Sequence, residues 1–142
     1  MEESVVKHLE FIQSIINRMS NNSFLLKGWN VTVSSAILAL IISNPNPLFA
    51  IVALLSSLSF WGLDAYYLRQ ERLFRSLYDD IRVSVTARKA KKIDVFSLDT
   101  DKYEVQIPSW FRTLWSKSIF WLHGVVVIVI GFAVIALLVF SK

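Results

Sequence analysis

The side chains able to do chemistry in this chain are few and scattered. His8 and His123 are the only histidines, they lie 115 positions apart, and there is no Cys. The sequence holds no HExxH, CxxC, GxSxG or glycine-rich phosphate loop, the patterns that place nucleophiles, bases and metal ligands in register. Asp79-Asp80 is a tight acidic pair in the body of the chain, outside residues 93–108. Neighbours on a helix point about 100° apart, so these two carboxylates do not converge on one metal. We therefore expect no enzyme, no catalytic residue, no metal site and no cofactor. What remains is a set of polar residues inside apolar runs: Lys27, Asn30, Ser34, Ser56, Asp64 and His123. Ionisable groups in such surroundings are candidates for a working site by default.

The elements that carry these residues belong in a membrane. Of the 142 residues, 54% are hydrophobic, above the roughly 45–50% usual in soluble domains. The excess is gathered into blocks. Phe24 to Ser43 has Lys27 as its one charge, while Pro47 to Leu63 and Ile119 to Phe140 have none. About 20 helical residues cross a bilayer core, and three such blocks leave too little polar chain to cover them in water. We expect transmembrane helices over 24–43, 47–65 and 118–140. The first block begins too far from Met1, and ends without a small-residue cleavage site, to be a signal peptide. Eleven Lys and Arg lie in residues 64–118, and Lys7, Arg18 and Lys27 precede or open the first span, whereas the 43–47 connection has no charge. The positive-inside rule then puts the N-terminus and residues 64–118 in the cytoplasm and the C-terminus outside.

Outside the spans, Val5, Val6, Leu9, Ile12, Ile15, Ile16 and Met19 recur at helical spacing. This predicts an amphipathic helix over 1–21 that packs on other cytoplasmic parts rather than lying on the membrane. Ser20-Asn21-Asn22-Ser23 is expected to break it and cap the first span. Asn44-Pro45-Asn46-Pro47 forces the first two spans into an antiparallel hairpin. No Gly or Pro interrupts Asp64 to Arg88, so the second span should continue as a cytoplasmic helix over 66–92. Residues 93–108 alternate apolar and polar around Asp99-Thr100-Asp101-Lys102, a β-hairpin pattern. The expected fold class is an all-α membrane protein with three transmembrane helices, a long extension of the second, a small cytoplasmic β-hairpin, and a homo-oligomeric assembly.

Each polar residue has a plain and a functional reading. Asn30 and Ser34 share a helix face, and with Ser56 and Asp64 they are candidates to line a pore, though hydroxyls in spans usually bond back to carbonyls one turn away. Asp64 could pair with Lys27 or Arg69, or ring a pore mouth. Lys27 reads as a boundary marker that snorkels to headgroups, with Trp29, Trp61, Trp115 and Trp121 as interfacial anchors. His123 reads as an interfacial histidine bonded to a carbonyl or headgroup. Gly124 and Gly131 lie on one face of the third span and would admit close helix approach. Arg88, Lys89, Lys91 and Lys92 form a basic cluster for nucleic acid, anionic lipid or an acidic partner, or a solvated helix end.

The stretch from His8 to Trp29 (Phe11-Ile12-Gln13, Ile16, Arg18-Met19, Asn22-Ser23-Phe24, Lys27-Gly28-Trp29) is followed by Phe60-Trp61, Asp64, Tyr66-Tyr67, Gln70-Glu71-Arg72 and Phe74-Arg75. Over residues 8–82 this resembles the RipA-type oligomeric membrane proteins and the SLATT-like ion-channel effectors of bacterial anti-phage systems such as Hailong. The resemblance implies a homo-oligomeric channel in the inner membrane. It also implies a nucleotidyltransferase-like partner whose oligonucleotide product holds the channel closed, so that opening depolarises the infected cell. A second reading is a non-conducting membrane scaffold that docks a cytoplasmic partner.

Overall fold

The structure, a computed structural model, describes residues 2–86 and 96–140. In chain order it contains α1 (Glu2–Ser43), α2 (Pro47–Thr86), a single 3-10 turn (Asp101–Tyr103), α3 (Trp110–Leu114) and α4 (Lys117–Phe140). Three of these, α1, α2 and α4, are long and apolar enough to cross a membrane. The fold is all-α and membrane-compatible.

The hairpin between α1 and α2 follows from its turn chemistry. Asn44 N–H donates to the Leu40 carbonyl and closes α1. The Asn46 side chain accepts from the Leu48 amide at 2.9 Å and so caps α2. Pro47, which has no amide to lose, takes the first helical position. From this turn the two helices run antiparallel and pack along their length. Forty-two residues of α1 make roughly 63 Å of helix, about twice a bilayer core of about 30 Å. Half of each helix therefore projects beyond any membrane the hairpin crosses. Against the turn half lies α4, in contact with both.

The projecting half has an ordinary apolar core. Val5, Ile12 and Ile16 of α1 pack against Leu73, Leu77 and Ile81 of α2, with Leu9, Phe74 and Tyr78 at the edges. The amphipathic stretch therefore buries its apolar stripe against α2. The break expected at Ser20–Ser23 is absent, and α1 is continuous through it. Ser and Asn cost only about 0.5–0.7 kcal/mol each in a helix relative to Ala. Burial of Ile16 just before them and the side-chain bond from Ser23, the last of them, outweigh that.

The β-hairpin expected over 93–108 is also absent among its described residues. Residues 96–107 form a turn and the 3-10 element instead. Asp99 Oδ1 accepts from the Asp101 amide, and the Thr100 carbonyl accepts from the Tyr103 amide. These local bonds compete with a strand ladder, and an isolated two-stranded hairpin is marginal in water. Tyr103, with Leu98 and Ile107, packs into the α1–α2 core instead. Three polar straps hold the segment down. The Tyr103 hydroxyl and Lys102 Nζ both donate to Asp80 Oδ2, at 2.8 and 3.0 Å. Arg69 pairs with Glu104 at 3.1 Å. The Phe96 amide donates to His8 Nδ1 at 3.2 Å, with Phe96 held at a φ of 76°.

The chain then enters α3, capped by the Ser109 side chain, which accepts from the Arg112 amide. Trp110 Nε1–H donates to the Gly62 carbonyl at 2.9 Å. A Cβ on Gly62 would stand 3.4 Å from that indole, in contact with it. In α4, a Cβ on Gly131 would meet nothing within 4 Å, and one on Gly124 would meet only Phe120 of the same helix. The close helix approach expected at these two glycines does not occur within the protomer.

Candidate functional site: a buried ion-pair network where three helices meet

Register from the turn brings the site together. Lys27 precedes the end of α1 by sixteen residues, and Asp64 follows the start of α2 by seventeen. In an antiparallel hairpin these positions lie at one level. His123 lies six residues into α4, which enters the bundle at this level. Asp64 is fully buried, and its carboxylate gathers donors from two other helices. Lys27 Nζ stands 2.7 Å from Oδ2 and 2.9 Å from Oδ1. The Ser23 hydroxyl donates to Oδ1 and itself accepts from Lys27 Nζ at 2.8 Å. His123 Nε2 lies 2.9 Å from Oδ2.

The network continues into the bundle. His123 and Asn30 are both fully buried, and Asn30 Nδ2 lies 2.7 Å from His123 Nδ1. The Ser34 hydroxyl, one turn closer to the hairpin turn, donates to Asn30 Oδ1 at 3.3 Å. Trp61 closes one side: its ring lies parallel to the imidazole within 10°, at 6.1 Å between centroids. Its Nε1–H donates to the Leu114 carbonyl at 3.0 Å, so α3 braces the aromatic wall. Trp115 and Phe120 pack edge-on and tilted against it.

The electrostatics follow from burial. A lone carboxylate removed from water is costly, and one with paired charge and several hydrogen bonds is tolerable. Lys27 supplies the charge, and Ser23 and His123 supply further bonds. Lys27 keeps contact with the outside, with 19% of its side chain exposed, whereas the side chains of Asp64 and His123 have none. The group is thus a neutralised ionic cluster with one solvent-facing member. It ties α1, α2 and α4 at a single point. Among the described residues there is no cluster of three or more His, Cys, Asp and Glu fit to hold a metal.

Several expectations change here. Lys27 is the counter-ion of Asp64, rather than a boundary marker only. Arg69, the other expected partner of Asp64, is taken by Glu104. His123 is bonded to Asp64 and Asn30, and not to a carbonyl or headgroup. Asn30, Ser34 and Asp64 turn inward within the protomer, Ser56 is half-buried, and its neighbour Ser57 is the fully buried serine. Trp29, Trp115 and Trp121 are exposed on the outside of the bundle, whereas Trp61 belongs to the site. Ser23 is expected only as a helix cap and Trp61 only as an interfacial anchor, and neither is expected beside Asp64. Both lie within a turn of Lys27 and Asp64 on the same helices, which is the spacing that could have found them. The basic cluster Arg88, Lys89, Lys91 and Lys92 lies outside the described residues.

The chain matches no family model, no curated protein and no solved structure.

Proposed function

We propose that the chain is a homo-oligomeric ion channel of the bacterial inner membrane, an anti-phage effector that depolarises the cell when a cytoplasmic signal releases it. The anti-phage role rests on the resemblance over residues 8–82, and one observation supports the channel. The membrane half of α1 presents a stripe of small and hydroxyl-bearing residues to the outside of the protomer: Gly28, Thr32, Ser35, Ala39 and Ser43, all exposed. They fall at spacings of three and four and so share one helix face. The stripe spans about 22 Å of helix, most of a bilayer core. Lipid has no use for such a face, whereas a ring of copies turning it inward has a hydrophilic wall. Asn30, Ser34 and Asp64 then serve by locking each protomer, and the water-facing positions fall to Thr32 and Ser35. The N-terminus and residues 64–118 face the cytoplasm, where the projecting α1–α2 core forms the assembly ring. The regulatory partner is nucleotidyltransferase-like and acts through an oligonucleotide product.

A second reading has its own observation. Thr32 and Ser43 hydroxyls already donate to carbonyls one turn back, at 3.0 Å each, so they do not require water. The same stripe would then seat a second copy in a non-conducting scaffold. Ion flux through liposomes containing the purified full chain alone separates the two. The channel reading predicts flux in the absence of inhibitor, and its sharp loss in Ser35→Leu. An oligomer that conducts no ion under any condition would overturn it in favour of the scaffold.

A further inference from the structure

The hydrogen bonds around His123 fix which of its ring nitrogens carries a proton. Asn30 Oδ1 accepts from the Ser34 hydroxyl, so the amide presents its Nδ2 donors to His123 Nδ1 at 2.7 Å. A nitrogen that accepts a hydrogen bond has no proton. The ring proton therefore sits on Nε2 and is donated to Asp64 Oδ2 at 2.9 Å. In this state the ring is neutral and Lys27 balances Asp64.

The same atoms admit a second state. Rotating the Asn30 amide about Cβ–Cγ exchanges Oδ1 and Nδ2. Oδ1 would then face Nδ1, ready to accept from a proton placed there. Nδ2 would face Ser34 Oγ, which can accept, and the Ser34 hydroxyl can turn to the Asn30 carbonyl one turn back. The side chains of Asn30, Ser34 and His123 keep a partner in both states, so the second state leaves none of them an orphaned polar atom. The second state puts a positive charge beside Asp64. The charged or titratable groups around His123 are few: Asp64 from α2, and Lys27 of α1 reached through Asp64. Arg112 of α3 and Lys117 of α4 are exposed. Two cations thus compete for one carboxylate. Lys27 is the member with an exposed side chain, and its long stem lets it leave toward headgroups or water.

We propose that His123 is a proton-binding site inside the spanning bundle, where a proton on Nδ1 displaces Lys27 as the counter-charge of Asp64. Binding of the proton releases the Lys27 tie between α1 and α2 and turns the existing His123–Asp64 bond between α4 and α2 into an ion pair. The inference does not depend on whether the oligomer conducts.

The test is nitrogen NMR of the full chain, with 15N-labelled histidine, in lipid nanodiscs. His123 is distinguished from His8 by the His8→Gln variant. At alkaline pH the His123 ring is expected as the single Nε2–H tautomer, and on acidification as the doubly protonated ring. In Lys27→Met the competitor is gone, so the doubly protonated ring is expected already at a pH where the natural sequence shows only the neutral one, a shift of at least tenfold in proton concentration. An Nδ1–H tautomer at high pH, a ring that stays neutral down to the lowest pH at which the protein remains folded, or identical titrations with and without Lys27 would each overturn the proposal. The first two readouts need no variant of the site, so a misfolded Lys27→Met leaves the test decisive.

Discussion

Lys27 and Asp64 should be strongly coupled in stability, far beyond a surface ion pair. Lys27→Met strands the Asp64 carboxylate, which has no exposure and keeps only the Ser23 and His123 donors. Removing one partner of a buried pair costs about 3–5 kcal/mol, and the two remaining bonds place this case near the lower figure, about 3 kcal/mol. Asp64→Leu leaves the Ser23 hydroxyl and His123 Nε2–H without an acceptor, at about 1–3 kcal/mol each. Lys27 itself escapes much of its penalty because it reaches the surface. The double variant keeps the orphaned Ser23 and His123 but has no stranded charge. It should be no worse than Asp64→Leu alone. The cycle therefore predicts a coupling of about 3 kcal/mol, against about 1 kcal/mol or less for an exposed pair. Unfolding of the full chain in mixed micelles, followed by the fluorescence of Trp61 against the imidazole, measures it. A coupling below about 1 kcal/mol would refute the claim that this pair is desolvated and central.

Three further outcomes follow from the same structure. Bonds to the Tyr103 hydroxyl and to Asp80 hold the Lys102 ammonium above its ordinary value, and burial, with the Asp80 charge, pushes the Tyr103 phenol up as well. Both shifts are upward, so their stabilisation is full below about pH 10 and is lost as the pH rises further; limited proteolysis of residues 96–107 should accelerate only in that alkaline range. Tyr103→Phe removes the bond to Asp80 but keeps the packed ring, and should cost about 1 kcal/mol in the same unfolding assay. Ile12→Ala and Leu73→Ala, both at buried positions of the projecting core, should each cost about 2–5 kcal/mol, while Val105→Ala, at a side chain almost wholly exposed, should change stability by less than about 0.5 kcal/mol.

Much of this architecture was legible from residue spacing. The charge-free blocks gave the three helices long and apolar enough to cross a membrane, the Asn-Pro-Asn-Pro turn gave the hairpin, and the uninterrupted helical stripe beyond Asp64 gave the long α2. Equal distance from the turn also put Lys27 and Asp64 at one depth. Two kinds of feature were hidden. Ser20–Ser23 and residues 96–107 carry local signals for a break and for strands, and tertiary packing overrode both: Ile16 and Ser23 are worth more inside a continuous helix, and Tyr103 inside the α1–α2 core. The role of His123 was hidden for another reason. Periodicity places a residue on a face of its own helix, but it does not say which face of α4 meets the hairpin, and α4 is apolar all round. The bond of Asn30 to His123 and the third partner of Asp64 follow from that one docking.

The contact between His123 and Asp64 is the most direct test of this account, because a pore-mouth aspartate and a buried network put that carboxylate in different places. Dipolar coupling between the 15N-labelled His123 ring and the 13C-labelled Asp64 carboxyl can be measured by solid-state NMR on the full chain in lipid bilayers. The account predicts a strong coupling that fits the 2.9 Å contact of Nε2 with Oδ2. No measurable coupling, together with fast exchange of the Asp64 environment with water, would contradict it.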